Sequence, residues 1–383
     1  VNEPLRVLVV ANGVDRSEAA IFTGLQAAGL RMTVFHAPGI LEASRSVLLG
    51  AGIPCEELQV RNRLDHRAIQ RLREFLRAYP QDLVYAPINR TLAAALQATR
   101  GMHLQVVGYR GTTGHLSRWD PSSWLTYFHP RLNHVVCVSE AVRRHFVEDL
   151  HFLPSRVTQI YKGHDPAWYA DLQPETSLPE AAEGVLTVGF SGRIRPVKGV
   201  RYLLEALRWI PAAEPVRIVL IGEVDDPEVQ RQLRDPVLAE RVVALGFRTD
   251  AAALSGRCDL FAMPSVEREG FPRAVVEAMA QGVPVVASRV GGLPELVTDG
   301  ETGLMVPPRD ARAMAEAIRS LRNDPALRNR MGLAARQRVD GIFHVRRSIQ
   351  AYETLFLRLA AQRNARPNCR KTWTEAGVRL TLI

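Results

Sequence analysis

No run of apolar residues in this 383-residue sequence approaches the ~18 to 20 needed to cross a bilayer as a helix. The N-terminus also lacks a basic segment followed by an apolar signal region, so the chain is expected to stay in the cytoplasm. Cysteine is scarce. Cys55, Cys137, Cys258 and Cys369 are widely spaced and form no Cys-x-x-Cys pair or metal-ligand grouping, so they read as reduced structural thiols. Lysine is scarcer still: Lys162, Lys198 and Lys371 are the only three among 49 basic residues. Arginine is therefore the default cation, and a lysine at a motif position carries more meaning. No Asp-x-Asp pair occurs, and Gly-x-Gly-x-x-Gly is absent. The second absence argues against a dinucleotide-dependent dehydrogenase.

What is present fits a soluble globular protein. Hydrophobic residues make up 46% and charged residues 23%, which argues against extensive disorder. The length suits two domains of about 150 to 200 residues. The formal charge of +9 would attract phosphates, nucleic acid or anionic lipid. No nucleic-acid-binding module accompanies it, so nucleic acid is not an expected partner.

Short apolar runs alternate with helical patterns along the chain. Leu5 to Val10, Arg31 to His36, Asp82 to Ala86, Gln105 to Tyr109 and His134 to Val138 read as buried strands. Helical patterns run over Ser17 to Ala28, Arg67 to Ala78 and Glu140 to Leu150. After an irregular stretch holding Pro174, Thr176, Ser177 and Pro179, a second series begins with strands Leu186 to Ser191 and Val216 to Ile221. It continues with strands Val242 to Leu245, Leu260 to Met263 and Val283 to Ser288, and with helices Val200 to Trp209 and Arg273 to Gln281. Such alternation predicts parallel sheets covered by helices on both faces.

The expected organisation is an N-terminal acceptor-side Rossmann-like domain, 1–170, a linker, 171–184, and a C-terminal Rossmann-like domain, 185–345. A helix, 346–362, returns to the N-terminal domain, and a mobile basic tail occupies 363–383. Two doubly wound domains of this kind place a ligand cleft at the carboxyl ends of their strands.

The most informative segment is Pro264-Ser265-Val266-Glu267-Arg268-Glu269-Gly270-Phe271-Pro272-Arg273 and the helical pattern that follows. Pro272 suits a first helical turn, where its missing N–H goes unneeded, and Gly270 admits a ligand close to the backbone. The free N–H groups and the dipole of the helix then favour an anion. Glu269 and Glu277, eight residues apart, can face one cleft at different depths and accept hydrogen bonds from sugar hydroxyls. A solvated loop Glu followed by a Glu near a helix start would look the same. A second segment, Gly189-Phe190-Ser191-Gly192-Arg193-Ile194-Arg195-Pro196-Val197-Lys198-Gly199, sets cations at a strand end. A guanidinium and an ammonium there could neutralise a departing nucleoside diphosphate; an exposed basic loop is the plain alternative.

The ordered series Gly192-Arg193…Lys198-Gly199, Gly246-Phe247, Cys258 to Ser265, Glu269-Gly270-Phe271-Pro272…Glu277-Ala278, Gly282-Val283-Pro284 and Gly291-Gly292-Leu293-Pro294-Glu295 resembles glycosyltransferase family 4. The resemblance implies an α/β GT-B fold, two Rossmann-like doubly wound domains facing each other across a cleft. It implies a nucleotide-sugar donor as substrate, no cofactor, no metal, and retention of anomeric configuration. It assigns Arg193 and Lys198 to the diphosphate, Glu277 to the ribose, and Glu269 with the Gly270-Phe271-Pro272 backbone to the donor sugar and phosphate. Gly192 belongs to the same donor loop, and Phe247 and Arg248 would lie beside the base. The acceptor would be a glycan or glycolipid, as in bacterial lipopolysaccharide or polysaccharide synthesis at the inner face of the cell membrane. A catalytically inactive binding or scaffold protein of the same fold is the competing reading.

The first half departs from the family pattern. A glycine pair after the first strand is here Ala11-Asn12-Gly13-Val14, leaving Gly13 to approach the donor. Arg110 and His115 sit in the loop Tyr109-Arg110-Gly111-Thr112-Thr113-Gly114-His115. There Arg110 either binds an anionic acceptor or holds its loop, and His115 either positions a hydroxyl or lies on the surface. Lys162 and His164 either contact the donor or shape the hinge. Trp119, Trp124, Tyr127, Phe128 and His129 read first as core packing, with an acceptor surface as the alternative. The arginine-rich run Arg61 to Arg77 offers contact with an anionic membrane or a plain solvated helix face.

Overall fold

The computed structural model describes residues 3–39, 42–114, 116–211 and 213–364. Seven strands form a first sheet: β1 (Arg6–Val10), β2 (Arg31–His36), β3 (Cys55–Glu57), β4 (Leu83–Ala86), β5 (Gln105–Arg110), β6 (His134–Cys137) and β7 (Val157–Gln159). Their order is β3-β2-β1-β4-β5-β6-β7. Six more form a second sheet: β8 (Leu186–Ser191), β9 (Val216–Ile221), β10 (Val242–Ala244), β11 (Leu260–Met263), β12 (Val285–Ser288) and β13 (Gly303–Val306), in the order β10-β9-β8-β11-β12-β13.

The central strands of both sheets pair in parallel. All residues of β4, β8 and β11 are buried, as continuous apolar runs covered on both faces require. Strand order reverses between β1 and β4 and again between β8 and β11. Such reversals splay the following loops to opposite sides and open a crevice at the strands' carboxyl ends. The loops after β8 and β11 are those the sequence motifs occupy.

Helix starts follow local capping chemistry. Asp15 and Glu18 form a reciprocal capping box for the helix Arg16–Ala27, and Asp65 caps His66–Ala78 through the N–H of Ala68 at 3.2 Å. The helical pattern from Glu140 continues past Arg144 as a wider π-type turn over His145–Asp149.

The described residues group into two compact units. One takes residues up to 109, 120–135 and those from 349 on; the other takes 110–119 and 136–348. This division cuts through the span 1–170. Residues 139–164 are tied into the second unit by Glu295, which accepts the backbone N–H groups of Glu140 and Ala141 at 2.8 and 2.7 Å, and by backbone bonds of His164 to Phe343 and Val345.

The long helix Val345–Asn364 contributes to the first unit from Ile349 onward. Ile349 covers Gly24 so closely that a Cβ there would overlap it. Tyr352 Oη lies 2.9 Å from Tyr85 Oη, and Arg363 donates to Asp82 at 2.8 Å. Residues 365–383, most of the expected tail, lie outside the described residues. The irregular segment 171–184 is anchored rather than loose: the Glu175 N–H donates to Asp250 at 2.7 Å, and Arg217 donates to the Pro179 carbonyl at 2.6 Å.

Candidate active site

The turn Pro196–Lys198 follows β8 and ends at Gly199, whose backbone is left-handed at φ +65°. A Cβ at Gly199 would overlap the carbonyl oxygen of Pro264, so only glycine lets this turn sit against the loop leaving β11. The Val266 N–H donates to the Val197 carbonyl at 3.0 Å and joins the two loops. That close approach carries Lys198 to Glu269: Nζ lies 2.6 Å from Oε1. Ser265 donates to the same oxygen at 2.5 Å. Glu269 is 6% exposed, and Lys198 Nζ has no other hydrogen-bond partner among the described residues.

Arg193 takes a different position. Its Nε donates to Asp225, on the loop after β9, while its terminal nitrogens have no hydrogen-bond partner among the described residues. The Asp225 carboxylate stabilises the guanidinium and raises its pKa. Its side chain is 61% exposed and therefore open to an incoming anion.

The helix after Glu269 runs over Arg273–Ala280. Pro272 is the residue before it, with φ −66° and ψ 115°, and not part of the first turn as its sequence position suggests. An extended ψ at the boundary leaves the first helical N–H to Arg273. No side chain caps this helix, so its leading N–H groups remain available to an anion. Phe271 turns its ring inward between Tyr161 and Phe343, at centroid distances of 5.2 and 5.3 Å, so the segment Gly270-Phe271-Pro272 offers backbone rather than that ring. Glu277 pairs with Arg273 one turn earlier, Nε to Oε1 at 3.2 Å.

Gly270 sits so close to Gly111 that a Cβ would overlap the Gly111 carbonyl oxygen. The loop holding Arg110 thus lies directly against the Glu269 loop. Arg110 itself is buried, and its Nε donates to the Thr112 carbonyl at 2.8 Å while Nη2 donates to that of Gly114. These bonds hold the loop. His115 lies outside the described residues. Gly13 is exposed with open space around it, and neighbouring Asn12 donates to the Val60 carbonyl at 3.1 Å.

Phe247 is 72% exposed in the loop that follows β10. Arg248 forks onto Asp250 with bonds of 2.8 and 2.7 Å, and this pairing holds the Asp250 carboxyl down to about 2. His164 is buried, with Nδ1 2.6 Å from the Tyr169 hydroxyl, a structural role. Of the aromatic stretch, Tyr127 is in the core and donates to the Tyr109 carbonyl at 2.6 Å, whereas Trp119 is 94% exposed, contrary to the core packing expected of it.

The description "Glycosyltransferase Family 4" fits residues 7–168, and "Glycosyl transferases group 1" fits residues 185–324, a span that holds Lys198, Glu269 and the helix after them. The chain belongs to glycosyltransferase family 4. Its two parallel sheets are those of the GT-B fold. A glycosyltransferase from Rickettsia africae matches with a TM-score of 0.77 at 20% identity, over 94% of this chain and 99% of that one. Anabaena HepE in complex with UDP and glucose matches at 0.73 and 24% identity, over 92% and 99%.

Among curated family relatives, the phosphatidyl-myo-inositol mannosyltransferase of Mycolicibacterium smegmatis is 33% identical over 249 residues, 64% of this chain and 62% of that protein. The D-inositol 3-phosphate glycosyltransferase of Corynebacterium glutamicum is 33% identical over 47% of this chain and 46% of its own. The chain thus matches between 46% and 62% of the length of these two relatives.

The family motif Gly291-Gly292-Leu293-Pro294-Glu295 was legible without a role for its carboxylate. Besides the two N–H groups of the 140s helix, Glu295 accepts from the Tyr161 hydroxyl at 3.0 Å, which raises that phenol's pKa after burial has already done so. Asp225, the partner of Arg193, carried no motif signal at all.

Proposed function

We propose that this family member transfers a sugar from a nucleotide-sugar donor to a hydroxyl of a glycan or glycolipid, with retention of configuration and without a metal. The observation that carries this reading is the convergence of Lys198, Ser265 and Glu269 at the strand-order reversal of the second sheet, beside an uncapped helix start. The donor diphosphate lies against the first N–H groups of Arg273–Ala280, where the helix dipole favours negative charge. Arg193 and Lys198 take up the charge that develops as the sugar–phosphate bond breaks. Glu269 orients Lys198 and accepts a sugar hydroxyl, Glu277 serves the ribose, and Phe247 with Arg248 lies beside the base. Gly192 gives backbone access to the donor.

In the transfer step the acceptor oxygen bonds to the anomeric carbon from the face the phosphate leaves. The carbon–oxygen bond to the diphosphate breaks, and the acceptor proton passes to the departing phosphate oxygen. No side-chain nucleophile is required.

The names of the relatives support glycosyl transfer, and the HepE complex supports a uridine nucleotide as the first donor to try. We place the acceptor in bacterial envelope glycan assembly at the cytoplasmic face. Among the described residues no helix is long and apolar enough to cross a membrane. Membrane contact would fall to the Arg61–Arg77 face, although Arg73 is already committed to the carbonyls of Gln97 and Ala98.

The test is a thermal-shift screen of UDP, GDP, ADP and CMP sugars followed by turnover of the binders in excess chelator, with product configuration read by NMR. Turnover that requires added metal removes the cation mechanism. Binding without turnover across the panel favours the inactive-scaffold reading.

A further inference from the structure

The turn that carries Glu269 does not hold itself in place. Its backbone rests on Gly291 and Gly292: a Cβ on Gly291, which is left-handed at φ +54°, would overlap the Glu269 carbonyl oxygen, and one on Gly292 would overlap that of Gly270. The Gly292 N–H donates to the Glu269 carbonyl at 3.1 Å. The ring of Phe271 has a separate support. It lies 5.2 Å from the Tyr161 ring with the planes 30° apart, and both rings meet Phe343, over which Arg338 is set at 5.3 Å.

Both supports end at one carboxylate. Glu295 follows Gly292 within a single turn, its N–H donating to the Gly292 carbonyl at 3.1 Å, and Arg338 holds the Glu295 carbonyl at 2.8 Å. Oε2 accepts the Tyr161 hydroxyl at 3.0 Å and the Glu140 N–H at 2.8 Å, while Oε1 accepts the Ala141 N–H at 2.7 Å. The charge of the carboxylate strengthens all three bonds. A side chain fixed by three donors, on a backbone fixed by two more bonds, has little room to move, and neither has what it holds.

We propose that Glu295 is a positioning residue for the donor turn. Through Gly292 it sets the backbone of Glu269 and Gly270, and through Tyr161 it sets the ring of Phe271. Glu269 is thereby brought to Lys198, and the first N–H groups of Arg273–Ala280 are aimed at the diphosphate. This role rests on the transfer function proposed above, in which a displacement of about 1 Å at the reacting groups is enough to cost about 100-fold in rate. The plainer alternative is a cap alone, in which Glu295 serves the start of the 140s helix and nothing beyond it.

Glu295→Gln separates the two. It keeps the size of the side chain but turns one acceptor oxygen into a donor that faces an N–H it cannot bond. Hydrogen exchange on the full chain, read by mass spectrometry, should quicken at Glu140 and Ala141. It should quicken as well at Gly292 and Val275, whose N–H groups bond the carbonyls of Glu269 and Pro272. Turnover of the sugar nucleotide selected by the thermal-shift screen should show kcat lowered about 10- to 100-fold, with the donor KM within about threefold of the parent. Tyr161→Phe leaves the ring beneath Phe271 and the N–H bonds of Glu295 intact, so it reads the same route even if Glu295→Gln does not fold. It should lower kcat several-fold and add little to Glu295→Gln in the double variant. Faster exchange confined to Glu140 and Ala141, an unchanged kcat, or full additivity of the two substitutions would each overturn the proposal. A parent that turns over no donor contradicts the transfer function instead, and exchange at Gly292 and Val275 then still decides whether Glu295 sets the turn.

Discussion

Lys198 and Arg110 both follow or end a central strand, yet they use their charge in opposite ways. Lys198 leaves the end of β8 and reaches across to a carboxylate from the loop after β11; Arg110 ends β5 and folds back on carbonyls of its own loop. An ammonium has three donors, and Glu269 takes one, so Lys198 can accept a phosphate without releasing its partner. Arg110 is held by two neutral acceptors and fixes the loop that touches Gly270. Under the proposed function, the difference separates a charge placed for a ligand from a charge placed for a fold.

The sharpest way to break this comparison is Lys198→Ala. Turnover should fall about 10²- to 10³-fold through lost stabilisation of the leaving diphosphate. Because Glu269 is left buried without its cation, unfolding by urea should also show a loss of about 3–5 kcal/mol. Pairing Lys198→Met with Glu269→Leu should recover much of the stability and none of the turnover, and a recovered rate would detach Lys198 from the chemistry.

Arg110→Ala should do the reverse: stability falls by about 1.5–3 kcal/mol as charged hydrogen bonds are lost, while slow donor hydrolysis stays within about twofold of the parent. A rise in acceptor KM with unchanged stability would instead move Arg110 to the ligand side of the contrast.

A third test concerns the Arg248–Asp250 pair beside Phe247. The Asp250 carboxyl titrates lower in the fold than in the unfolded chain, so its contribution is fully present above its ordinary value and is lost as the pH falls toward about 2. Melting temperature measured from pH 5 downward should decline more steeply for the parent than for Asp250→Asn; parallel curves would show that the pair is not what holds this loop. The smallest expected effect is Arg193→Ala. Its exposed side chain should leave the melting temperature unmoved and lower kcat and kcat/KM for the donor together by about tenfold; a rise in KM alone would take it away from the charge that develops on the leaving diphosphate.

Much of the second sheet was legible. Strands β8, β9 and β11 fall where unbroken apolar runs between turn residues put them, because a central parallel strand leaves no polar face to blur the pattern. The short edge strands β3 and β7 were not, since Cys55–Glu57 and Val157–Gln159 carry few apolar residues and owe their pairing to a neighbour. The helix Pro325–Gly341 escaped notice for a related reason: its charged residues surround the apolar ones instead of leaving one clean stripe. At the site, Lys198 and Glu269 were readable from motif order, but their bond spans 71 residues and depends on Gly199 meeting Pro264. Glu295 shows the same limit, with its N–H partners more than 150 residues away.

The helix Val345–Asn364 also sets a timetable. A ribosome delivers residues 136–348 before Ile349 and Tyr352 emerge, so the second unit has all its parts while the first still lacks the side chains that cover Gly24 and Tyr85. The part of the protein made first is therefore the last to close. Nascent chains stopped short of residue 349 should expose that apolar face to chaperones, and no contiguous fragment of the gene encodes the first unit whole.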